Sequence, residues 1–105
     1  MVRGDVHAIA MPGKRGRVQH GPRYAVIVQA DALLRLSTLV VCPTSASAPA
    51  ASLHPEVAIG EKQTRVMCEM VGAVDARALG KHVGHLTFAE LRAVEDALLL
   101  VLDLR

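Results

Sequence analysis

Residues 21–45, GPRYAVIVQADALLRLSTLVVCPTS, decide the fold of this chain. Two β segments lie within them: residues 24–29 are nearly all apolar, and residues 38–42 are rich in β-branched side chains. Arg23 precedes the first segment, and Thr44 with Ser45 follows the second. Side by side, these groups would bind a phosphate, because a guanidinium offers a planar fork of donors and an alcohol can donate to a further oxygen. The stretch therefore indicates phosphodiester chemistry.

Length and composition define the kind of core. The chain has 105 residues, which predicts one domain over residues 1–105 that buries about 65% of its unfolded surface. Hydrophobic residues make up 51% of the sequence but aromatic residues only 2%, so the interior must be built from Val, Leu, Ile and Ala. This shortage of rings argues against a protein that recognises single strands by stacking bases on aromatic faces.

Positive charge is concentrated near the start of the chain. Residues 1–23 hold five basic groups and one acidic group, a net charge of +4, whereas the remainder holds seven and nine, a net charge of −2. Most of the excess lies in a predicted loop, residues 11–22, which carries Lys14, Arg15 and Arg17. Such a loop would attract a polyanion with an affinity that falls as salt rises. A solvated loop without a binding role is the alternative.

The sequence also bears on the compartment. No apolar stretch follows the first residues, and the longest apolar run, residues 97–102, is far shorter than the roughly 20 residues that span a bilayer. The protein is therefore expected in the cytoplasm, away from membranes. Cys42 and Cys68 lie in predicted strands among apolar neighbours, which favours buried, reduced thiols over a disulfide or a reactive thiol.

Periodicity and turn residues predict the order of the elements. Strands are expected over residues 5–10, 24–29, 38–42, 56–59 and 64–74, with a bulge or bend at Gly72 and with Pro43 ending the third strand. Short helical turns are expected over residues 31–34 and 75–80, and a small-residue loop over residues 45–52. Residues 81–86 are expected to be irregular.

The best-defined element is a C-terminal helix. Thr87 and Glu90 have the spacing of a capping box, in which each side chain satisfies an amide at the helix start. An apolar stripe at intervals of three and four residues follows, and apolar residues near the end widen it almost to the full circumference. Such a helix is covered on more than one side, either by a second subunit or within one barrel.

Several other kinds of site find little support. His82 and His85 lack a cluster of further ligands, so a solvated segment is the preferred interpretation and no metal site is expected. The sequence has no nucleophile elbow, no Walker loop and no paired carboxylates. No cofactor is expected. His20 lies three residues before Arg23 and is a candidate phosphate contact or proton carrier, with an ordinary surface histidine as the alternative.

Taken in order, these motifs resemble the MazF/PemK toxins over essentially the whole chain. The motifs are the opening Arg-Gly-Asp-Val of residues 3–6, the Gln19-x-Gly21-x-Arg23 run, the Pro43-Thr44-Ser45 strand exit, Glu69 and the capped final helix.

The resemblance implies a fold, an activity and partners. The implied fold is mainly β with α: a small SH3-like barrel of antiparallel strands plus a C-terminal helix, as in MazF and CcdB. The implied function is that of a homodimeric, metal-independent endoribonuclease, which cuts single-stranded RNA and is held inactive by a MazE-like antitoxin with a disordered tail. Expected products are a 2′,3′-cyclic phosphate and a 5′-hydroxyl.

By the same resemblance, Arg23 and Thr44 fall at the catalytic positions of the family. Ser45 and Gln19 match neighbouring substrate-binding positions. We expect four further side chains of the basic loop to bind substrate with them: Lys14, Arg15, Arg17 and His20.

This chain departs from the family pattern at three positions. Val18 stands where a Glu is usual, Tyr24 replaces a proline, and Met70 replaces a common glutamine. Without that Glu, the general base is His20, Arg23 or water. Tyr24 either stacks on a base or covers the mouth of the barrel.

Two alternatives to a ribonuclease share the expected architecture. A toxin of the CcdB type would poison DNA gyrase through its C-terminal helix without cutting RNA. A non-catalytic SH3-like module would bind peptide or nucleic acid, but such grooves are normally lined with aromatic side chains. This chain has one Tyr, one Phe and no Trp.

Overall fold

The computed structural model describes residues 1–9 and 23–104, in which seven strands form one antiparallel sheet. The sheet curls into a half-barrel, and a C-terminal helix packs against its inner face, so the predicted fold is confirmed. The strand order is β4-β5-β3-β2-β1-β7, with β6 also paired to β3. The strands are β1 (Asp5–Ile9), β2 (Tyr24–Ile27), β3 (Thr38–Ser45), β4 (Glu56–Ile59), β5 (Lys62–Val66), β6 (Gly72–Asp75) and β7 (Leu79–His85).

The longest strand, β3, organises the sheet. One edge pairs with β2, while the other edge pairs first with β6 and then, at Thr44 and Ser45, with β5. Pro43 was predicted to end this strand, and that prediction is wrong. Pro43 lies opposite Ala25, and its carbonyl accepts a hydrogen bond of 2.8 Å from the Met67 N–H. Proline lacks only the donor, so the strand continues through it to the polar residues beyond.

The predicted single strand over residues 64–74 is instead two strands separated by a 3₁₀ turn, Cys68–Met70. Three steps along β3, from Thr44 to Val41, correspond to six steps along its partner, from Val66 to Gly72. The turn contains these additional residues. Cys68 therefore lies in a turn and not in a strand, although it is buried and free, as is Cys42.

Apolar residues pack on both faces of the sheet. Alternation along β2 places Val26 in the cluster under the helix, and Ala25 and Ile27 in a smaller cluster on the other face. A strand buried on both faces has no polar side to show, which explains its nearly continuous apolar sequence. As predicted, the buried residues are mainly Val, Leu, Ile and Ala, together with the two cysteines.

The helix, α1 (Phe88–Leu102), begins with the predicted capping box. The Thr87 hydroxyl accepts from the Glu90 N–H at 3.1 Å, and the Glu90 carboxylate accepts from the Thr87 N–H at 2.8 Å. The same carboxylate also accepts from the Ala58 N–H at 2.8 Å, which ties the helix start to β4. The helix buries Val94 and Ala97, whereas its outer apolar residues near the C-terminus are exposed.

The region after β6 differs most from expectation. Residues 75–80 form only a 3₁₀ turn, Ala76–Ala78, and the segment predicted to be irregular is the strand β7. Gly80 belongs to this strand, where a Cβ would approach the Ala8 carbonyl oxygen to 3.2 Å. The helical turn expected near residue 31 is present as a 3₁₀ turn, Asp31–Leu33. No helix within residues 1–9 and 23–104 is long and apolar enough to cross a membrane.

Candidate active site

A cavity of about 300 Å³ opens where β2 begins and β3 ends. Its walls include Arg23 and Tyr24 from the start of β2, and Thr44 and Ser45 from the end of β3. Residues 21 positions apart in sequence thus share one recess. Arg23 directly follows the basic loop, residues 11–22, in the sequence. A guanidinium and hydroxyls around one concave space are groups suited to binding an anion.

Arg23 is held at this site by its backbone. It stands immediately before β2, and its carbonyl accepts a hydrogen bond of 2.9 Å from the Ile9 N–H of β1. Its Nε is buried and has no hydrogen-bond partner among the described residues. An unsatisfied donor of this kind costs about 1–3 kcal/mol or more in a folded protein, and charged groups are at the upper end. A phosphate oxygen in the cavity would satisfy it.

Thr44 is positioned by strands on both sides. It lies opposite Val66 of β5, and only 3% of the residue is exposed. Thr44 nevertheless lines the cavity, where its hydroxyl could donate to a bound anion. The rotamer of a β-branched residue in a central strand is restricted, which makes this a preorganised hydroxyl.

Ser45 is already partly engaged by its own turn. Its Oγ accepts a hydrogen bond of 3.3 Å from the Ser47 N–H and lies 3.1 Å from the Ser47 Oγ. Both serines line the cavity. This local network shapes the loop after β3 and still leaves hydroxyl groups able to contact a ligand.

The rest of the cavity wall comes from the β4–β5 hairpin, which sequence reasoning missed. Lys62 and Thr64 of β5 line the recess together with Ile59 of β4. The alternation of side chains along a strand shows that residues 62, 64 and 66 lie on one face of the sheet. It does not show whether that is the face on which the Thr44 side chain lies. That information lies in the long-range register, which local sequence does not reveal.

A buried histidine, His54, holds the loop that follows β3. His54 lies beyond the loop that follows β3. Its Nδ1 is 2.8 Å from the Pro49 carbonyl oxygen and its Nε2 is 2.8 Å from a Glu69 carboxylate oxygen. Both oxygens only accept, so both ring nitrogens donate and the imidazole is cationic. The loop that carries Ser45 and Ser47 is thereby fastened to the turn after β5.

The pKa values of this pair shift accordingly. The hydrogen bond to Glu69 raises the pKa of His54. Burial raises the pKa of Glu69, but the hydrogen bond and charge of His54 together with a backbone hydrogen bond outweigh burial, and the net shift is downward. Each charge therefore stabilises the other. Glu69, one of the residues that carried the family resemblance, acts in this structure as the anchor of the loop.

His82 and His85 were interpreted as belonging to a solvated, irregular segment. Both are exposed, as expected, but the segment is a strand and not irregular. Both lie in β7 and contact the buried carboxylate of Asp5, at 3.3 and 2.8 Å. Burial raises the pKa of Asp5, whereas hydrogen bonds from the Val2 N–H and from both imidazoles lower it, with a net decrease. Within the described part of the chain, no group of three His, Cys, Asp or Glu side chains is arranged to hold a metal ion.

The structure describes Tyr24 and Met70 but not the predicted substrate-binding residues that precede Arg23. Tyr24 is half-buried, packs against the core under the helix and lines the cavity. Met70 is exposed and lies on a separate apolar recess formed with β1, β2 and β3. The predicted substrate-binding residues of the basic loop lie outside the described residues: Lys14, Arg15, Arg17, Gln19 and His20.

Comparison with known proteins was made in sequence and in structure. The family model of PemK-like, MazF-like toxins of type II toxin-antitoxin systems matches residues 2–102. A Mycobacterium tuberculosis protein named as a putative toxin is 30% identical over 99 residues, which are 92% of each chain.

Solved structures show the same fold at lower identity. MazF from Deinococcus radiodurans has a TM-score of 0.82 at 17% identity, over 99% of this chain and 97% of that one. A mycobacterial endoribonuclease in complex with its cognate antitoxin has a TM-score of 0.78 at 21% identity, over 100% and 97%. M. tuberculosis toxin MazF-mt6 has a TM-score of 0.79 at 16% identity, over 96% and 98%. The family match over nearly the whole chain shows that this protein belongs to the PemK-like, MazF-like toxins of type II toxin-antitoxin systems.

Proposed function

We propose that this toxin is a metal-independent endoribonuclease that cleaves single-stranded RNA at short specific sequences. The observation that carries the proposal is that Arg23 and Thr44 line one cavity, where the buried Nε of Arg23 has no partner among the described residues. Relatives in fold include proteins described as endoribonucleases, which supports the same assignment.

RNA supplies its own nucleophile. The 2′-hydroxyl loses its proton and its oxygen attacks the adjacent phosphorus. A bond forms between them, the bond from phosphorus to the 5′-oxygen breaks, and the departing 5′-oxygen takes up a proton. The products are a 2′,3′-cyclic phosphate and a 5′-hydroxyl. The protein therefore needs mainly to align the reacting atoms and to stabilise the charge that develops on the phosphate oxygens.

Arg23 and Thr44 have complementary tasks in this reaction. The guanidinium neutralises charge and donates to one or two phosphate oxygens, while the Thr44 hydroxyl donates to another. Candidates for the group that accepts the 2′-hydroxyl proton are His20, Arg23 and water. None of these steps calls on a resident metal or cofactor.

The proposed partners follow from the site and the relatives. The substrate is messenger RNA or a single-stranded loop of tRNA or rRNA, since unstacked bases can enter the recess. Related structures include a complex with a cognate antitoxin and MazE–MazF assemblies. By analogy, we propose a cytoplasmic homodimer controlled by a MazE-like antitoxin with a disordered, acidic and apolar tail.

Incubation of the purified protein with a long RNA in chelator, followed by mapping of the new ends, tests the proposal. We expect discrete cuts with cyclic-phosphate and 5′-hydroxyl termini. Arg23→Ala and Thr44→Ala should abolish cleavage while far-UV circular dichroism stays unchanged, and Lys81→Ala, on an exposed residue outside the cavity, should cut normally. Intact RNA with the wild type, or full activity of a folded Arg23→Ala variant, would overturn the assignment. Inhibition of DNA gyrase without RNA cutting would instead indicate a toxin of the CcdB type.

A further inference from the structure

We infer that β5 provides a second backbone-binding subsite beside the scissile phosphate, in which Lys62 binds a neighbouring phosphate and Thr64 contacts the backbone between the two phosphates. This inference rests on the proposed ribonuclease function and extends it from one phosphate to two. It assigns substrate-binding roles to side chains that motif and sequence order do not single out.

The strand register places these side chains on the floor of the cavity. Thr44 lies directly opposite Val66, so the two side chains point to the same face of the sheet. Alternation along β5 then puts Thr64 and Lys62 on that face as well. Thr64 and Val66 on this face are buried, whereas Lys62 is exposed. Gln63 is also exposed and lines the cavity as well. Thr44, Thr64 and Lys62 thus form a row of polar groups that leads away from Arg23.

Spacing along this row decides which phosphate each residue can reach. Lys62 lies four residue steps along β5 from Val66, the partner of Thr44, which is about 13 Å of extended chain. A lysine side chain cannot span that distance to the phosphate bound by Thr44. It can reach the neighbouring phosphate of an RNA strand that runs along the cavity. Ile59 lies opposite Lys62 in the β4–β5 pair, is buried and also lines the cavity, so an apolar side chain neighbours the lysine stem.

Lys62 is available for this role. Three arginines on the described surface pair with carboxylates: Arg3 with Glu95, Arg77 with Asp75, and Arg92 with Asp96. Arg35 and Lys81 have no such partner among the described residues, and neither lines the cavity. Lys62 has no carboxylate partner among the described residues, although Glu61 is its neighbour in sequence. A free ammonium on the wall of a polar cavity is a point charge suited to a phosphate.

Thr64 lies between Thr44, beside the Arg23 site, and Lys62 in the row of polar residues. Only 8% of the residue is exposed, yet its side chain lies on the cavity wall. A threonine hydroxyl on the cavity wall can donate to or accept from the backbone of a bound RNA. The ribose-phosphate segment between the scissile linkage and the one at Lys62 offers oxygens at that position.

Residues of this subsite contact substrate but not the reacting atoms. Their loss should weaken ground-state and transition-state binding equally, which raises KM and leaves kcat unchanged. Loss of Lys62 should also remove one ion-pair contact, and so lower the steepness of the salt dependence by about 0.7 in a plot of log K against log salt for a single strand.

The test uses a short oligoribonucleotide that spans a cleavage site mapped on the long RNA. A single 2′-deoxy substitution at the cleaved nucleotide removes the nucleophile, so binding can be measured without turnover. We expect Lys62→Ala to bind this probe several-fold more weakly, with the shallower salt dependence, and Thr64→Val to bind it more weakly with an unchanged salt dependence. Lys81→Ala, which removes an exposed lysine of β7, is the matched control and should match the wild type.

A neutral methylphosphonate placed at the linkage on either side of the scissile phosphate identifies the phosphate bound. At one of the two positions it should weaken wild-type binding as much as Lys62→Ala does, and the variant should show no further loss. Normal wild-type cleavage with Lys62→Ala equal to Lys81→Ala in affinity and salt dependence would overturn the subsite alone. Lack of cleavage by the wild type would overturn the proposed function and the subsite together.

Discussion

At the scale of single residues, the unusual feature is a buried guanidinium nitrogen that has no hydrogen-bond partner within residues 1–9 and 23–104. The Nε of Arg23 costs stability in the free protein, so removal of the side chain should not destabilise the fold. We expect Arg23→Met, which keeps an apolar stem, to leave the urea unfolding midpoint equal or higher while it abolishes RNA cleavage. Such a separation of stability from activity is expected of a functional group. A marked loss of stability would show that Arg23 serves the fold.

The contribution of the Thr44 hydroxyl to catalysis can be separated from that of the side chain's branched shape. Thr44→Val keeps the branched side chain in the strand but removes the donor, so the cleavage rate should fall by about 100- to 1,000-fold, or roughly 3–4 kcal/mol of transition-state stabilisation. Thr44→Ser restores the donor and should recover most of the rate. Single-turnover cleavage of the mapped oligoribonucleotide measures both variants. Equal rates for Val and Ser would contradict a role of the hydroxyl.

At the scale of elements, Glu90 connects the helix to the sheet. Thr87→Ala removes one cap and should cost about 1 kcal/mol of unfolding free energy. Glu90→Ala removes hydrogen bonds to the Thr87 and Ala58 N–H groups together, so it should cost more than Thr87→Ala. Urea unfolding of the two variants measures the difference. Equal costs would mean that the Ala58 contact adds nothing in solution.

The His54–Glu69 pair gives the loop after β3 a pH dependence. The raised pKa of His54 means that its contribution is complete below about pH 6.5 and is lost as pH rises through the folded value. The lowered pKa of Glu69 means that its contribution is complete above its unfolded value and is lost as pH falls through the folded one.

The pair should therefore stabilise the protein most in mildly acidic solution. We expect Glu69→Gln to lose more unfolding free energy, relative to wild type, at about pH 5.5 than at about pH 8.5. Urea unfolding at the two pH values measures this difference. Glu56→Gln, at an exposed carboxylate, is the control and should show little change. A loss that is the same at both pH values would show that the charges of this pair do not matter.

Elements with local signals could be predicted from sequence, and those that depend on distant pairing could not. The capping box at Thr87 and Glu90 is defined by neighbours in sequence, so its prediction was correct. A proline in the sequence favours the end of a strand because it has no backbone N–H to donate. Pro43 nevertheless continues the strand, because the bond that it makes here uses its carbonyl, which accepts from the Met67 N–H. The strand β7 has weak local signals, and its pairing with β1 and its contacts with Asp5 stabilise it.

The same contrast applies to the site. Arg23 and Thr44 stand at strand boundaries that apolar runs mark in the sequence, so their approach could be foreseen. The place of Lys62 and Thr64 in the cavity could not be foreseen. It depends on the pairing of Thr44 with Val66, two residues that are 22 positions apart in sequence.

At the scale of the whole molecule, positive charge and the cavity should act together on a polyanion. Residues 1–23 carry the net charge of +4, and Lys14, Arg15 and Arg17 contribute most of it. Replacement of these three by Gln should weaken RNA binding for all sequences alike, and should lower the steepness of the salt dependence by about 2, or 0.7 for each contact with a single strand. The effect should add to that of Lys62→Ala, since separate phosphate contacts contribute independently. Binding of the 2′-deoxy probe over a range of salt concentrations measures both variants and their combination. The cleavage sequence, mapped at low salt where binding is strong, should not change. A new cleavage sequence would show that these side chains recognise bases, and an unchanged salt dependence would place them away from the RNA.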